Sequence, residues 1–271
     1  MDDYDRFLHE DLDEEGDITS QALFSDEKGK AIIIAKEPCV VAGLTEASIV
    51  FEKTGANCIN LVDDGDHVKK RTEIATISGS IRSILKAERL ALNFLGRMSA
   101  IATTTKTLVD ECSKINPNVS IAATRKTTPG FRRYEKKAVT IAGGEPHRFG
   151  LFDAVMIKDN HIKAIGSIEK AITKVKNQIT TKTIEIEVEN ETDAMIAADF
   201  NVDVIMLDNF SAERGKKTAQ RIRKKNPHIL IELSGGITPE NIAEYASFAD
   251  RISMGYLTHT VINKDFSLTL C

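Results

Sequence analysis

The sequence predicts an α/β protein in which the longer part of the chain forms an α/β barrel, complete or incomplete. From about residue 119 onwards, six short apolar runs alternate with stretches that can form helices, which is typical of parallel strands joined by crossover helices. The runs cover residues 119–123, 154–157, 184–188, 204–207, 229–233 and 252–254. An open, doubly wound sheet would produce the same alternation and is the alternative fold.

Polar residues or glycines follow each of these six runs. They stand at positions 124–126, 158–161, 187–189, 208–209, 234–236 and 255. In α/β barrels the carboxyl ends of the strands carry the active site. Six polar ends in succession are difficult to assign to simple turns, and we therefore expect a functional site at that edge of the sheet.

The first third of the chain predicts mixed α and β structure. Residues 30–41 are rich in β-forming side chains, and the turn-forming residues 64–66 precede a second predicted strand at 73–77. A long helix is predicted from about Ser83, because apolar side chains then recur at helical spacing. Arg89 lies on the polar side of this helix.

The composition excludes several classes of protein. The 271 residues carry a net charge of −4, so the chain as a whole is not expected to bind nucleic acid through its charge. No apolar run approaches the ~20 residues of a membrane span, and residues 1–10 do not resemble a signal peptide. The four cysteines are too far apart to suggest a zinc site or a disulfide framework. We expect a cytoplasmic protein that binds neither nucleic acid nor a membrane.

A basic segment at residues 125–148 stands out against this negative net charge. It contains seven basic residues and two acidic ones. Such a concentration of positive charge suits a substrate with several negative groups, and arginine binds carboxylates and phosphates with two parallel hydrogen bonds. Arg125 and Lys126, which follow an apolar run, are candidate binding residues. A solvated basic helix is an equally good interpretation of four others, namely Arg132, Arg133, Lys136 and Lys137.

Carboxylates alternate with apolar residues in the predicted strand at 184–188. Because side chains alternate between the faces of a strand, Glu185, Glu187 and Glu189 share the face that points into a barrel. Buried carboxylates need cationic partners. Asp208, which ends the next strand, can join one of these three glutamates to hold Mg²⁺ through oxygen ligands. An exposed edge strand with one charged face is the alternative.

A glycine-rich loop follows the fifth predicted strand. Ser234, Gly235 and Gly236 precede a predicted helix, and glycines and free N–H groups at a helix start suit a phosphate. Gly255, after the next strand, is expected to complete this site. His147, His161 and His259 are candidate binding residues, with a purely structural role as the alternative for each.

Several motifs occur along the chain in a characteristic order. They include a Thr-Arg-Lys-Thr-Thr-Pro-Gly block and cover residues 88–93, 124–132, 147–148, 157–161, 206–209, 234–237 and 257–259. Together they resemble the nicotinate-nucleotide pyrophosphorylase (carboxylating) family, also called quinolinate phosphoribosyltransferase. The resemblance covers nearly the whole chain.

The resemblance implies a particular fold and reaction. The expected fold is an N-terminal α/β sandwich at residues 1–102, joined by residues 260–271, and an incomplete barrel of about six strands at 103–259. The expected reaction transfers phosphoribosyl from phosphoribosyl pyrophosphate to quinolinate with loss of CO2, in NAD biosynthesis. Mg²⁺ is the implied cofactor, and a homodimer or a higher oligomer built from dimers is the implied assembly.

The resemblance also implies a role for each site residue. Arg89 would reach the quinolinate carboxylates of the partner subunit, while Arg125, His147 and Arg148 would bind them directly. The catalytic residues would be Lys126 and Lys158, between quinolinate and pyrophosphate, with Glu187 and Asp208 at the ribose and Mg²⁺. The 5-phosphate would be surrounded by Ser234, Gly235, Gly236, Gly255 and His259.

Three other functions are alternatives. A nicotinate phosphoribosyltransferase would use a monocarboxylate and release no CO2. A related group associated with molybdenum transport shares the fold. A carrier-like binding module is suggested by residues 64–68, which resemble a lipoyl-type hairpin but lack the carrier lysine in a tight turn.

Overall fold

The computed structural model describes residues 2–271, which fold into two compact units. The first unit contains the residues up to Lys106, Thr140–Ala142 and the C-terminal Val261–Cys271. The second contains Thr107–Val139 and Gly143–Thr260. The domain boundaries given above stay a prediction.

The chain contains helices and strands in alternation. The helices are α1 (Asp3–Leu12), α2 (Ile18–Leu23), α3 (Leu44–Thr54), α4 (Ile81–Ser113), α5 (Arg132–Ile141), α6 (Asp159–Ile165), α7 (Ile168–Gln178), α8 (Glu191–Asp199), α9 (Ala212–Lys225), α10 (Ile242–Ala246) and α11 (Tyr256–His259). The strands are β1 (Lys28–Ala35), β2 (Cys39–Val40), β3 (Asn57–Asn60), β4 (His67–Val68), β5 (Glu73–Ser80), β6 (Ser120–Ala122), β7 (Val155–Ile157), β8 (Ile184–Val188), β9 (Val204–Asp208), β10 (Leu230–Ser234), β11 (Arg251–Ser253) and β12 (Phe266–Leu270). Among the described residues, no helix is long and apolar enough to cross a membrane.

The first unit is built on an antiparallel sheet with the strand order β12-β1-β5-β3. Alternate residues of β1, including Ala31 and Ile33, are buried, because one face of the strand packs into the core. The C-terminal strand β12 pairs with β1, so the last residues of the chain complete a sheet formed by its first part.

Helix α4 confirms the long helix predicted from its apolar spacing. It begins at Ile81, two residues before the expected start, because the Ser80 hydroxyl accepts a 3.0 Å hydrogen bond from the backbone N–H of Ser83. Ala87, Ala91 and Leu95 are fully buried on one face of this helix.

The second unit contains a six-stranded parallel sheet with the order β6-β11-β10-β9-β8-β7. All six predicted strands are confirmed, and each end lies within one residue of its expected position. From β8 to β11, each strand lies beside the one that precedes it in the chain, as in a barrel and unlike a doubly wound sheet. Within the described residues β6 and β7 do not pair with each other, so the barrel is incomplete.

Candidate active site

A cavity of about 620 Å³ lies at the carboxyl ends of the six parallel strands. Each strand contributes to its lining at or just after its last residues, as expected for the active-site edge of an α/β barrel. Twelve of the thirteen predicted site residues line it. They are Arg125, Lys126, His147, Arg148, Lys158, Glu187, Asp208, Ser234, Gly235, Gly236, Gly255 and His259.

The remaining predicted residue, Arg89, is exposed on α4 in the first unit and does not line this cavity. This placement agrees with the polar helix face predicted for Arg89. Its contact with the substrate of a partner subunit stays a prediction.

The loop after β6 is held by hydrogen bonds to its threonines. Glu135 accepts bonds from the backbone N–H and the hydroxyl of Thr128, at 3.1 and 2.9 Å. The hydroxyl of Thr258 donates to the carbonyl of Lys126 at 2.6 Å. Because these contacts fix the backbone, the side chains of Arg125 and Lys126 start from defined positions at the cavity.

Two of the four basic residues of α5 that the sequence left open, one buried and one half-buried, form hydrogen bonds within the protein. Lys136 is fully buried and donates to the carbonyl of Pro146. Arg132 donates to Thr127 Oγ1 and to the carbonyl of Phe149, each at 2.9 Å. Burial and then the charge of Arg132 lower the pKa of Lys136 to about 8. These two side chains therefore contact the segments that lead to the cavity residues Lys126 and Arg148.

Arg148 brings a half-buried positive charge to the cavity. Burial, followed by the charge of Arg125, lowers the pKa of Arg148, whereas Glu185 and Glu187 oppose this effect. Its guanidinium donates to the carbonyl of Ala154 at 3.4 Å. Two arginines close enough to disfavour each other's charge gain from an anion between them.

A lysine and two carboxylates occupy the next part of the lining. Lys158 forms an ion pair with Glu187. Burial and then the charge of Glu187 raise the pKa of Asp208, while Lys158 and Lys126 lower it. Asn209 donates to Asp208 Oδ2 at 2.7 Å, which leaves Oδ1 available. The free oxygen of Asp208 and the nearby carboxylate of Glu187 are together a donor set that fits Mg²⁺.

The loop after β10 is shaped by glycine backbone. Gly235 and Gly236 have φ angles of 81° and 62°, and a Cβ on Gly235 would lie 2.7 Å from the backbone nitrogen of Asn209. Glycine is therefore favoured at position 235 by both conformation and space, and at position 236 by conformation alone. A Cβ on Gly255 would lie 2.7 Å from His259 Nε2.

The helix predicted after this loop is present, but it does not start at the glycines as expected. Helix α10 has five residues and begins only at Ile242, so Gly235 and Gly236 do not lie at a helix N-terminus. Asn241 explains the delay, because its side chain accepts a 2.8 Å bond from Thr238 N–H and donates to the carbonyl of Gly236. Backbone contacts from this loop to a phosphate would therefore come from loop N–H groups and not from a helix N-terminus.

The three histidines are placed differently. His161 does not line the cavity, and its Nδ1 accepts a 2.9 Å bond from the backbone N–H of Lys158 at the start of α6, so the structural interpretation fits it. His259 is exposed and lies 2.8 Å from Thr260 Oγ1 through its Nδ1. His147 lines the cavity but points its Nε2 towards buried carboxylates.

The sequence interpretation missed the importance of a charged cluster beneath the cavity. Glu185 and Glu232 are almost fully buried on neighbouring parts of the sheet, together with Arg251. Burial and then Glu232 raise the pKa of Glu185 to about 8. Although burial opposes it, bonding to His147 and the charge of Arg251 lower the pKa of Glu232. The sequence feature that could have revealed Glu232 is a single carboxylate inside an apolar strand. It belongs to none of the motifs, so nothing marked it as functional.

The three alternating glutamates of β8 share a face but differ in depth. Glu185 is buried, Glu187 is half-buried at the cavity and Glu189 is exposed beyond the strand end. The exposed edge strand proposed as the alternative is wrong, because β8 pairs with β7 and β9.

Two family models match this chain and together cover most of it. The quinolinate phosphoribosyl transferase N-terminal domain matches residues 17–99, and the C-terminal domain of the same family matches residues 101–269.

Individual proteins are similar over comparable lengths. A probable nicotinate-nucleotide pyrophosphorylase (carboxylating) of Archaeoglobus fulgidus is 44% identical, with 93% of this chain and 97% of that protein covered. The nicotinate-nucleotide pyrophosphorylase (carboxylating) of Homo sapiens is 35% identical over 89% of this chain and 82% of its own. A solved nicotinate-nucleotide pyrophosphorylase from Francisella tularensis superposes with a TM-score of 0.92 at 36% identity, covering 99% and 94% of the two chains.

Proposed function

The chain belongs to the quinolinate phosphoribosyltransferase family, and we propose that the cavity at its strand ends is the active site. The protein is a phosphoribosyltransferase of NAD biosynthesis. It joins the phosphoribosyl group of phosphoribosyl pyrophosphate to quinolinate and releases pyrophosphate and CO2.

The observation that carries the site assignment is that cationic, anionic and glycine-rich groups line one cavity. Arg125 and Arg148 supply positive charge, and glycine backbone opens the lining at positions 235 and 236. The Lys158–Glu187 pair and Asp208 also line this cavity. A pyridine dicarboxylate suits the arginines, and a phosphate suits the glycine loop, so that the sugar would face the carboxylates.

We assign Mg²⁺ to the carboxylates Glu187 and Asp208, whose donor set fits it. When bound, Mg²⁺ would neutralise the pyrophosphate oxygens. Lys126 and Lys158 would add positive charge near the same leaving group, which is electrostatic stabilisation of the kind that enzymes use most.

The chemistry needs no side-chain nucleophile. The ring nitrogen of quinolinate attacks the anomeric carbon of the ribose as the carbon–oxygen bond to pyrophosphate breaks. Carboxylates near the ribose favour the positive charge that develops on the sugar. The ring nitrogen becomes positively charged, so the electron pair of the breaking carbon–carboxylate bond is stabilised by the ring. CO2 leaves, and a proton takes its place.

The reaction separates this function from that of a nicotinate phosphoribosyltransferase. We would incubate the protein with Mg²⁺, phosphoribosyl pyrophosphate and quinolinate labelled in the carboxylate next to the ring nitrogen. Labelled CO2 and pyrophosphate should form in equal amounts, while nicotinate should turn over far more slowly. Equal use of nicotinate would favour the second candidate.

We propose a cytoplasmic homodimer, or a higher oligomer of dimers, in which Arg89 serves the partner's cavity. The inactive variants Arg89→Ala and Lys158→Ala should then complement each other, because one site of a mixed dimer draws both residues from intact copies. Random exchange would make about half of the dimers mixed, and activity should recover to roughly a quarter of wild type. Mixed dimers proven by mass spectrometry without recovered activity would refute the shared site.

A further inference from the structure

His147 is engaged at both nitrogens of its imidazole ring. Its Nδ1 accepts a 2.8 Å hydrogen bond from the backbone N–H of Arg148. Its Nε2 lies within hydrogen-bond distance of Oε2 of Glu232, at 3.3 Å. The same nitrogen is 3.2 Å from Oε1 of Glu232 and 3.5 Å from Oε2 of Glu185. A ring whose Nδ1 accepts carries its proton on Nε2, which points at these carboxylates. No N–H of the ring then remains for a substrate carboxylate, although direct binding is the role that the family resemblance implies.

The backbone at His147 adopts a left-handed conformation, with a φ of 54°. Such a conformation is costly for a residue other than glycine and persists only where the surroundings hold it. Contacts on two sides hold it here, because Lys136 donates to the carbonyl of Pro146 while His147 is anchored at Glu232. This turn sets the direction in which the next side chain, Arg148, enters the cavity.

Glu232 is the buried end of this arrangement. Its carboxylate has no exposed surface and accepts a 3.0 Å bond from Arg251, which pairs with Glu145 at 2.6 Å. A buried carboxylate is tolerated when it is paired and hydrogen-bonded, and its partners are then held in place by it. Neither Glu232 nor Arg251 belongs to the cavity lining, so neither is placed to touch a substrate.

We propose that Glu232 is a positioning residue for quinolinate binding, which acts through His147 to orient Arg148. In this arrangement His147 transmits the position of the buried carboxylate to the backbone of Arg148, and Arg148 binds the substrate. The proposal rests on the proposed function, since it assigns the Arg148 end of the cavity to quinolinate.

The decisive variant is Glu232→Gln, which keeps the side-chain volume but removes the charge that holds Arg251 and His147. The KM for quinolinate should rise about tenfold, as expected for a lost hydrogen bond to a charged group. The KM for phosphoribosyl pyrophosphate and kcat should each stay within about twofold, because uniform loss of binding changes KM alone.

A double-mutant cycle separates positioning through His147 from a general loss of packing. Asparagine at position 147 tolerates a positive φ and offers an acceptor near Nδ1, but it is too short to reach Glu232. In a His147→Asn background, Glu232→Gln should therefore have almost no further effect on the KM for quinolinate. Additive effects of the two substitutions would refute the coupling.

Glu46→Gln is the matched control, because Glu46 is equally buried but lies on α3 in the first unit. It should leave the KM for quinolinate unchanged. If Glu232→Gln does not fold, Glu145→Gln tests the proposal instead. Glu145 is less buried and pairs with Arg251, which in turn pairs with Glu232. A smaller rise in the same KM is then expected, and its absence would overturn the proposal.

The outcomes also distinguish this proposal from the proposed function. A wild-type protein that releases no CO2 from quinolinate refutes the function itself. A wild type that does so, with a Glu232→Gln variant of unchanged KM or of reduced kcat alone, refutes only the positioning role.

Discussion

The two ends of the cavity are built by different means. At the cationic end, Arg125 and Arg148 extend from turns that buried charged residues hold in place. At the glycine end, Gly235 and Gly236 expose their backbone in positive-φ conformations. One end therefore selects its ligand by the charge of side chains, and the other by how closely the backbone can be approached.

This difference predicts which substitutions each end tolerates. The cationic end depends on long-range support, since Glu232 and Lys136 lie outside the lining and still contact its turns. The glycine end depends on local geometry, because its space is limited by Asn209 beside Gly235. Loss of charge should thus affect quinolinate, while added volume should affect phosphoribosyl pyrophosphate.

The largest effect is expected at the cationic end. Arg148→Ala removes a half-buried charge and should raise the KM for quinolinate on the order of a hundredfold, since loss of a desolvated charged partner is costly. The KM for phosphoribosyl pyrophosphate should change little. Arg221→Ala on α9 is the control, because it removes only an exposed ion pair with Glu191. It should leave the KM values for quinolinate and for phosphoribosyl pyrophosphate unchanged.

Asp208 lies between the two ends, and Asp208→Asn should separate the two substrates. We expect the use of phosphoribosyl pyrophosphate and the response to Mg²⁺ to weaken by roughly a hundredfold, with quinolinate binding in calorimetry nearly retained. Asp199→Asn, on the exposed end of α8, provides the comparison. An unchanged Mg²⁺ dependence in the Asp208 variant would exclude its role at the metal.

A methyl group tests the glycine end. Gly235→Ala would place a Cβ against Asn209 at a φ of 81° and should raise the KM for phosphoribosyl pyrophosphate roughly tenfold. Gly166→Ala is a close control, because its φ is 97° but no atom lies within 4 Å of the added Cβ. Similar kinetic loss in both variants would mean that strain alone, and not closeness to the ligand, is responsible.

The smallest expected effect is on the pH dependence of stability, and it comes from Lys136, which contacts the turn before Arg148. Burial lowers the pKa of Lys136 to about 8, from the ordinary lysine value of 10.5. Between these values the unfolded state binds more protons, so the free energy of unfolding should rise as the pH increases from about 8 to 10.5. Below pH 8 this gain is absent, because both states are then protonated.

The variant Lys136→Met should lack this rise. Urea unfolding of both proteins at several pH values would measure the difference. Parallel curves for the two proteins would show that Lys136 titrates normally despite its burial.

The strand pattern was predictable because it is local. Each apolar run of the second unit carries its own signal, and so does the helical spacing of Ala87, Ala91 and Leu95 in α4. The choice between a barrel and a doubly wound sheet was not local, since both have the same alternation of elements. It was decided by the pairing of β6 with β11, which are separated by most of the unit.

The site was predictable where function requires a particular residue at a strand end. Lys158, Glu187 and Asp208 were found in this way, because the ends of parallel strands meet. The prediction that a helix starts at the glycine loop was wrong. Asn241 forms hydrogen bonds with this loop that the sequence pattern does not reveal. The buried contacts of Lys136 and Glu232 were equally hidden.

By itself, the sequence determined the α/β class, the six strands, the family and twelve of the residues that line the cavity. These features follow from short-range periodicity and from motifs of adjacent residues. Only the tertiary structure decided that β6 pairs with β11 and that His147 faces Glu232. Such contacts join residues far apart in the chain, and the desolvation that makes a buried charge significant exists only after the chain has packed around it.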